Sequence, residues 1–395
     1  MKKNFYLLFL AVIIGFSGCN SCSKKNHQAG APTQDSIILS FAFVGCNRVQ
    51  DTDSANVAAT GGTGSAANYF ALQRIFNNIT DSLPRRPDIL FFLGDLVSGQ
   101  TTTQLLDYQL GNWVKLYSDT NFSKISKSGI ELVAVPGNHE MLYINGIKMK
   151  IDNIKHDEWP LKGATDIWMK NMSPYMPADR EKITGKTDSA INQMSFSFVR
   201  NNTAFIVMNT DTYDDSTAQL PYGLEGKIPY SHIVDRAAKY STDTNIKHIF
   251  VLGHKPCYVD DTVTVDHEGL PDAPKLWPVL QKLGVCAMLS AHNHTYQRMQ
   301  PGGSQTYQVI AGNGGSYGPT SFFGYSLINI YSSGRVQLIS KGYNVDDSKS
   351  AYYLNVPTNY FYNVDTTSLI WGANANPYTH NYFPSIPEEE PVKKK

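Results

Sequence analysis

The sequence predicts an α/β fold with a parallel sheet at its centre, on three observations. Apolar runs of strand length recur at residues 37–44, 89–93, 132–135, 249–252 and 285–289. The segments joining the first three carry apolar residues every three or four positions, the spacing of one helix face. With 42% hydrophobic and 17% charged residues, the chain can bury strands on both faces.

Taken in order, the first strand, 37–44, is followed by a loop with Gly61-Gly62-Thr63-Gly64 and a helix over 66–79, striped by Phe70, Ile75, Phe76 and Ile79. The strand 89–93 leads to Asp95. A second helix over 101–117 follows, with Leu106, Leu110, Trp113, Val114 and Tyr117 on one face. Strand, helix, strand, helix, strand is a parallel opening. Residues 141–187, rich in Trp, Met, Pro and Asp, are long for a connection and are expected to form an insertion over the functional site. Two strands flanking Arg200-Asn-Asn-Thr203 read as a hairpin. Helices are expected over 229–240 and 273–283, and a closing meander over 307–311, 325–331 and 335–340.

The N-terminus has the layout of an export signal over 1–18. Met1-Lys2-Lys3 is basic, and the apolar run from Phe5 to Phe16 is shorter than a membrane span. Phe16-Ser17-Gly18-Cys19 resembles a bacterial lipobox, which implies lipidation of Cys19 and attachment to a bacterial membrane on its periplasmic or outer face. An ordinary signal peptide is the alternative. Residues 19–36 are polar and small and read as a tether, 37–345 as the folded domain, and 346–395 as an extension whose last ten residues are expected to be disordered. Lys plus Arg equals Asp plus Glu at 34 each, so no overall field favours nucleic acid. Past Cys19 and Cys22 only Cys46, Cys257 and Cys286 remain, too few for a disulfide framework.

The chemistry gathers where apolar runs end. Asp95 follows Leu93-Gly94, Asn138-His139-Glu140 follows the third strand, His254 follows Leu252-Gly253, and His292-Asn293-His294 follows the run 285–289. Each motif alone is an ordinary turn. Together, in this order, they point to imidazole, carboxylate and amide ligands for neighbouring cations.

This series resembles the calcineurin-like metallophosphoesterases, with greatest similarity to the purple acid phosphatase branch. The resemblance spans about residues 37–345 and includes Tyr296-Gln297-Arg298 after the paired histidines. It implies a two-sheet β-sandwich flanked by helices, hydrolysing phosphomonoesters or diesters. Two divalent or mixed-valence metal ions, Fe, Zn or Mn, would activate a water and clamp the phosphoryl group. One ion would take Asp95, Asn138, His254 and His292, and the other Asp95, His294 and a residue of the first strand. His139 would serve the leaving group as general acid, and Arg298 would pair with phosphate.

Two departures matter. The first strand offers no aspartate and reads Phe41-Ala-Phe-Val-Gly-Cys-Asn-Arg48. It resembles the first strand of PhoD-type alkaline phosphatases, where the cysteine ligates iron, which makes Cys46 the implied ligand. A packed thiol or a Cys46–Cys257 disulfide are the alternatives, and Arg48 is a further candidate for holding phosphate. Ser98 stands where the family has an iron-binding tyrosine, so no tyrosinate colour is expected. A one-metal phosphodiesterase and a non-catalytic, ligand-binding lipoprotein remain as alternative functions.

Overall fold

The computed structural model describes residues 35–49, 60–99, 102–141, 163–183, 190–211, 226–260, 267–318, 320–345 and 361–371. The signal segment, the lipobox cysteine Cys19, nearly all of the tether, residues 142–162 of the expected insertion, and residues 346–360 and 372–395 of the extension lie outside them.

Among the described residues thirteen strands form two mixed sheets. The first runs β13 (Tyr362–Leu369), β12 (Val336–Asn344), β11 (Phe322–Tyr331), β1 (Ile37–Val44), β2 (Ile89–Leu93), β3 (Glu131–Val135). The second runs β4 (Glu181–Lys182), β5 (Phe196–Arg200), β6 (Thr203–Val207), β7 (His248–Leu252), β8 (Ala287–Ser290), β10 (Tyr307–Ala311), β9 (Tyr296–Met299). In each, a parallel core of β1, β2 and β3 or of β6, β7, β8 and β10 carries antiparallel edges.

Period-two alternation decides what each strand buries. Phe41 and Phe43 of β1 and Ile89, Phe91 and Leu93 of β2 face Phe205, Phe250 and Leu252 of the second sheet. Phe41 lies edge-on to Phe91, Phe205 and Phe250, at centroid distances of 5.7, 5.1 and 5.2 Å. The alternate residues Ala42, Val44, Leu90 and Phe92 face outward to α1 (Tyr69–Asn77) and α2 (Thr103–Ser118). Ile206, Ile249 and Val251 do the same for α4 (Tyr230–Thr242) and α5 (Ala273–Lys282). Helices thus cover both outer faces of a sandwich, which explains why the central strands read as continuous apolar runs. Asn68 caps α1 through the Ala71 N–H at 3.1 Å, and Thr102 caps α2 through Leu105 at 3.1 Å.

Three details differ from the sequence reading. The run 307–311 does not belong to the closing meander: β10 lies in the other sheet, parallel to β8 and antiparallel to β9. Buried along its whole length, it suits an interior position there, whereas β12 alternates buried and half-exposed residues as a solvated strand should. The first sheet also takes a strand from beyond residue 345, since β13 pairs with β12. The described part of the 141–187 segment forms α3 (Ala164–Met172), whose Trp168 and Met172 join the core beside α2, and the edge strand β4.

Candidate metal centre

The motif residues meet at the strand C-terminal ends, where the two sheets are stitched by main-chain bonds. Gly45 N–H donates to Ala311 O (2.9 Å) and Gly314 N–H to Gly45 O (3.0 Å) from one sheet to the other, while Cys46 N–H to Gly94 O (3.0 Å) and Gly253 N–H to Leu289 O (3.2 Å) tie strand ends within each sheet. Among the described residues five non-glycine residues have positive φ, and three of them are at this joint: Cys46 (58°), Asp95 (54°) and His292 (69°). Left-handed backbone at a residue with a side chain is disfavoured by about 1–2 kcal/mol, and its concentration here marks a functional site. Gly94, at φ 83°, allows the approach: a Cβ there would lie 2.6 Å from His254 Nδ1 and from the Gly137 backbone.

Four predicted ligands converge on His254 Nε2. Asn138 Oδ1 is 3.0 Å away, His292 Nδ1 3.1 Å and Asp95 Oδ1 3.3 Å. His254 Nδ1 donates to the Leu93 carbonyl at 2.7 Å, so the neutral ring turns a lone pair on Nε2 toward this group. Two of the facing atoms, Asp95 Oδ1 and Asn138 Oδ1, are oxygens that only accept. A second proton on His254 could serve one of these contacts but not all of them; a cation at their centre serves them together. Separations of about 3 Å between donor atoms are those around one ion with bonds of about 2.0–2.2 Å, so the donor set fits a metal. Cys46, Asp95 and His254 likewise bring a ligand atom each within 4.8 Å of one another, all buried.

Cys46 Sγ accepts the His292 N–H at 3.1 Å. Neither Cys46 nor Cys257 forms a disulfide, and the Cys257 sulfur lies 3.3 Å from Met288 Sδ, so the disulfide alternative falls. His294 Nδ1 donates to Tyr317 O at 2.6 Å, so Nε2 is the nitrogen of that ring that could hold a cation.

His139 Nδ1 donates to the Ser98 carbonyl at 2.7 Å, and its N–H donates to Asp95 Oδ1 at 3.2 Å. Burial and then the Arg48 charge push its imidazole down to about 3, against the pull of Asp95. For Asp95, burial raises the pKa, but His254, His139, Arg48 and His294 together bring it well below the usual carboxylate range.

Arg298, on β9, is held by an ion pair: its Nε donates to Asp365 Oδ2 of β13 at 2.7 Å, and the same oxygen accepts from Tyr296 Oη at 2.7 Å. The pair runs between the sheets, with a partner from a segment in which the sequence showed no motif. Arg48 is a cation at the cluster, its Nε 3.2 Å from Asp95 Oδ2.

Two residues at the site were not legible beforehand. Glu140, named beforehand only as part of the Asn138-His139-Glu140 motif, is buried and accepts the N–H groups of Asp95 (3.0 Å), Gly137 (2.7 Å) and Val97 (3.1 Å). Burial and then Asp95 push its carboxyl up to about 8. His267 stacks on His292 (4.4 Å, 28°) and meets His294 edge-on at 5.3 Å. The only signal for it was a histidine a short way past His254.

A cavity of about 470 Å³ lined by Tyr117, Lys127, Glu131 and Tyr175 lies at the opposite, N-terminal end of β3 and is separate from the centre.

The calcineurin-like phosphoesterase family model matches residues 55–296, more than half of the chain. The protein belongs to the calcineurin-like phosphoesterase family. The solved structure of PhoD is similar at TM-score 0.57 and 11% identity, over 90% of this chain and 73% of that one. GAP50, described as the anchor in the inner membrane complex of Plasmodium, aligns at TM-score 0.46 and 14% identity, over 85% and 90% of the two chains. At these identities the likeness is one of fold. No curated protein matches the sequence.

Proposed function

We propose that the protein is a metal-dependent phosphoester hydrolase in which Asp95 bridges two ions. The inner ion would be held by Asp95, Asn138, His254 and His292, and the outer by Asp95, Cys46 and His294. The observation that carries the reading is the convergence of acceptor atoms on His254 Nε2, at 3.0–3.3 Å and in the absence of protons enough to join them. The thiol among the ligands favours iron or zinc over magnesium. Bound metal would supply an activated water and neutralise phosphoryl charge.

The chain's own residues supply the rest. His139, whose Nδ1–H donates to Ser98 O, can gain or give up a further proton only at Nε2. It accepts when neutral and donates when charged, and a phosphoryl dianion beside it favours the charged form needed for a leaving group. We further propose that lipidation at Cys19 holds the enzyme on a bacterial membrane, periplasmic or outer face.

The test is metal analysis of the purified protein beside turnover of p-nitrophenyl phosphate and bis-p-nitrophenyl phosphate, with Asp95→Asn as the control. Metal content together with hydrolysis that Asp95→Asn abolishes supports the reading. A folded protein that holds metal but turns over neither ester would support the ligand-binding alternative.

A further inference from the structure

We propose that Arg48 makes this a site for phosphomonoesters: the Nη groups of its guanidinium take the third terminal phosphoryl oxygen, which a monoester has and a diester lacks. This deepens the metal-dependent reading above and rests on it.

Arg48 stands at the cluster with most of its donors uncommitted. Its Nε–H donates to Asp95 Oδ2 at 3.2 Å, while the other oxygen of that carboxylate accepts the His139 N–H at 3.2 Å. Among the described residues Nη1 and Nη2 have no acceptor, and they reach solvent although the side chain is only 9% exposed. A structural arginine of this chain differs: Arg200 gives Nε, Nη1 and Nη2 to Glu131, Asp179 and the Val199 carbonyl. Donors so nearly enclosed call for an acceptor, and here it must come from outside the described chain.

The planar fork gives those donors a direction. The Nη–H on the Nε edge of a guanidinium runs parallel to Nε–H, so it points past Asp95 Oδ2 into the space beside the carboxylate. The pose is fixed from behind: Arg48 main-chain N–H donates to Asp95 O at 3.0 Å, and Ser316 Oγ donates to the Arg48 carbonyl at 2.9 Å. The Arg48 charge acts on His139 as well as on Asp95. One cation is therefore close to the group that would serve the leaving oxygen and to the carboxylate that would bridge the ions.

Counting phosphoryl oxygens gives the selectivity. Two ions that clamp the group take one terminal oxygen each. A monoester dianion keeps a third, which accepts from Arg48 in a charge-assisted hydrogen bond. In a diester that position carries a second ester substituent, with little charge on its oxygen and with bulk that meets the guanidinium. Asp95 is no obstacle, since one carboxylate oxygen can serve both ions while Oδ2 stays with Arg48.

The experiment compares kcat/KM of the Zn²⁺-loaded full chain for p-nitrophenyl phosphate and methyl p-nitrophenyl phosphate, in wild type, Arg48→Gln and Arg48→Lys. The two esters share a leaving group, and the ratio of their kcat/KM values cancels any loss of metal or of folded protein. Wild type should prefer the monoester. Arg48→Gln should lower the monoester-to-diester ratio roughly 10–100-fold, the range of a hydrogen bond to a charged group. Arg48→Lys should fall between, because it keeps the charge without the fork. Calorimetry supplies a readout apart from turnover: inorganic phosphate should bind metal-loaded Arg48→Gln roughly 10–100-fold more weakly than wild type.

A ratio in Arg48→Gln within about threefold of wild type, unchanged phosphate affinity, or a wild type that favours the diester would overturn the inference. Should neither variant fold, wild type decides: inorganic phosphate bound more tightly than dimethyl phosphate supports the inference, and equal binding overturns it. If wild type holds metal and turns over neither ester, phosphate affinity alone decides. A wild type that holds no metal and turns over neither ester overturns the metal-dependent reading, and this inference falls with it.

Discussion

Replacing Glu140 should show how far the metal centre depends on a residue that has no ligand role. Its carboxylate accepts three main-chain N–H groups, two of them from the turn that carries Asp95 and one from the turn before Asn138. All are buried, and an N–H left without a partner costs about 1–3 kcal/mol. Glu140→Ala strands the three at once and should destabilise the protein by about 3–9 kcal/mol, toward the low end if water enters the space. Glu140→Gln keeps the shape and one acceptor oxygen. If that oxygen serves Asp95 and Gly137, only the Val97 N–H faces an amide, for a loss of about 1–3 kcal/mol. Urea unfolding of both variants, each with chelator and with saturating Zn²⁺, measures this. Metal affinity should fall in the same order, because Asp95 and Asn138 are positioned by the two turns that Glu140 joins. A Glu140→Ala protein within about 1 kcal/mol of wild type, or equal losses for Ala and Gln, would refute the argument.

Three further outcomes are expected. His139→Ala should lower p-nitrophenyl phosphate turnover roughly 10²–10⁴-fold with metal content retained; loss of metal would show that His139 is a ligand. Cys46→Ser should reduce occupancy of one ion while Cys46→Asp retains two, and reductant should leave the wild-type protein unchanged, since neither Cys46 nor Cys257 is in a disulfide. His248, buried with no hydrogen-bond partner on either ring nitrogen, is pushed down to about 4 by burial. The unfolded chain, near pKa 6.5, binds the proton first, so stability should fall as pH drops from about 6.5 to about 4 and level off below. The full loss is about 3 kcal/mol, and His248→Gln should remove that component from urea curves at pH 7 and pH 4.5.

The parallel cores of both sheets were legible because apolar runs buried on two faces leave a strong signal, and the ligand motifs because each follows such a run directly. Sheet membership was not. Tyr307–Ala311 lies close in sequence to β11 yet joins β8, a choice made by burial on both faces and not by chain proximity. The same limit explains Arg298, whose type and position suited phosphate while its partner, Asp365, stands 67 residues away on a strand without a motif. Glu140 could be seen as a polar residue beside a ligand; that its acceptors would serve three main-chain donors depends on two turns meeting, which no local pattern reports. Cys46 was the opposite case, read from its place at the end of the first strand and found with its sulfur beside Asp95 and His254.

The left-handed backbone at Cys46, Asp95 and His292 connects these findings. Each residue ends a strand and must turn its side chain back toward a point between the sheets, which an extended continuation would not do. Such conformations persist only where neighbours enforce them. Here Cys46 is held by Gly94 O and by the Ser316 N–H, Asp95 by Glu140 through its N–H and by Asn47 and Arg48 through its carbonyl, and His292 by the Cys46 sulfur. These bonds gather at the strand ends, and two of them, Ser316 to Cys46 and His292 to Cys46, cross from one sheet to the other. Under the proposed function, cation binding and the packing of the two sheets would therefore be coupled through the same contacts. A metal that drew Cys46, Asp95 and His292 together would also fasten the joint, and a change that loosened the joint would loosen the ligands with it.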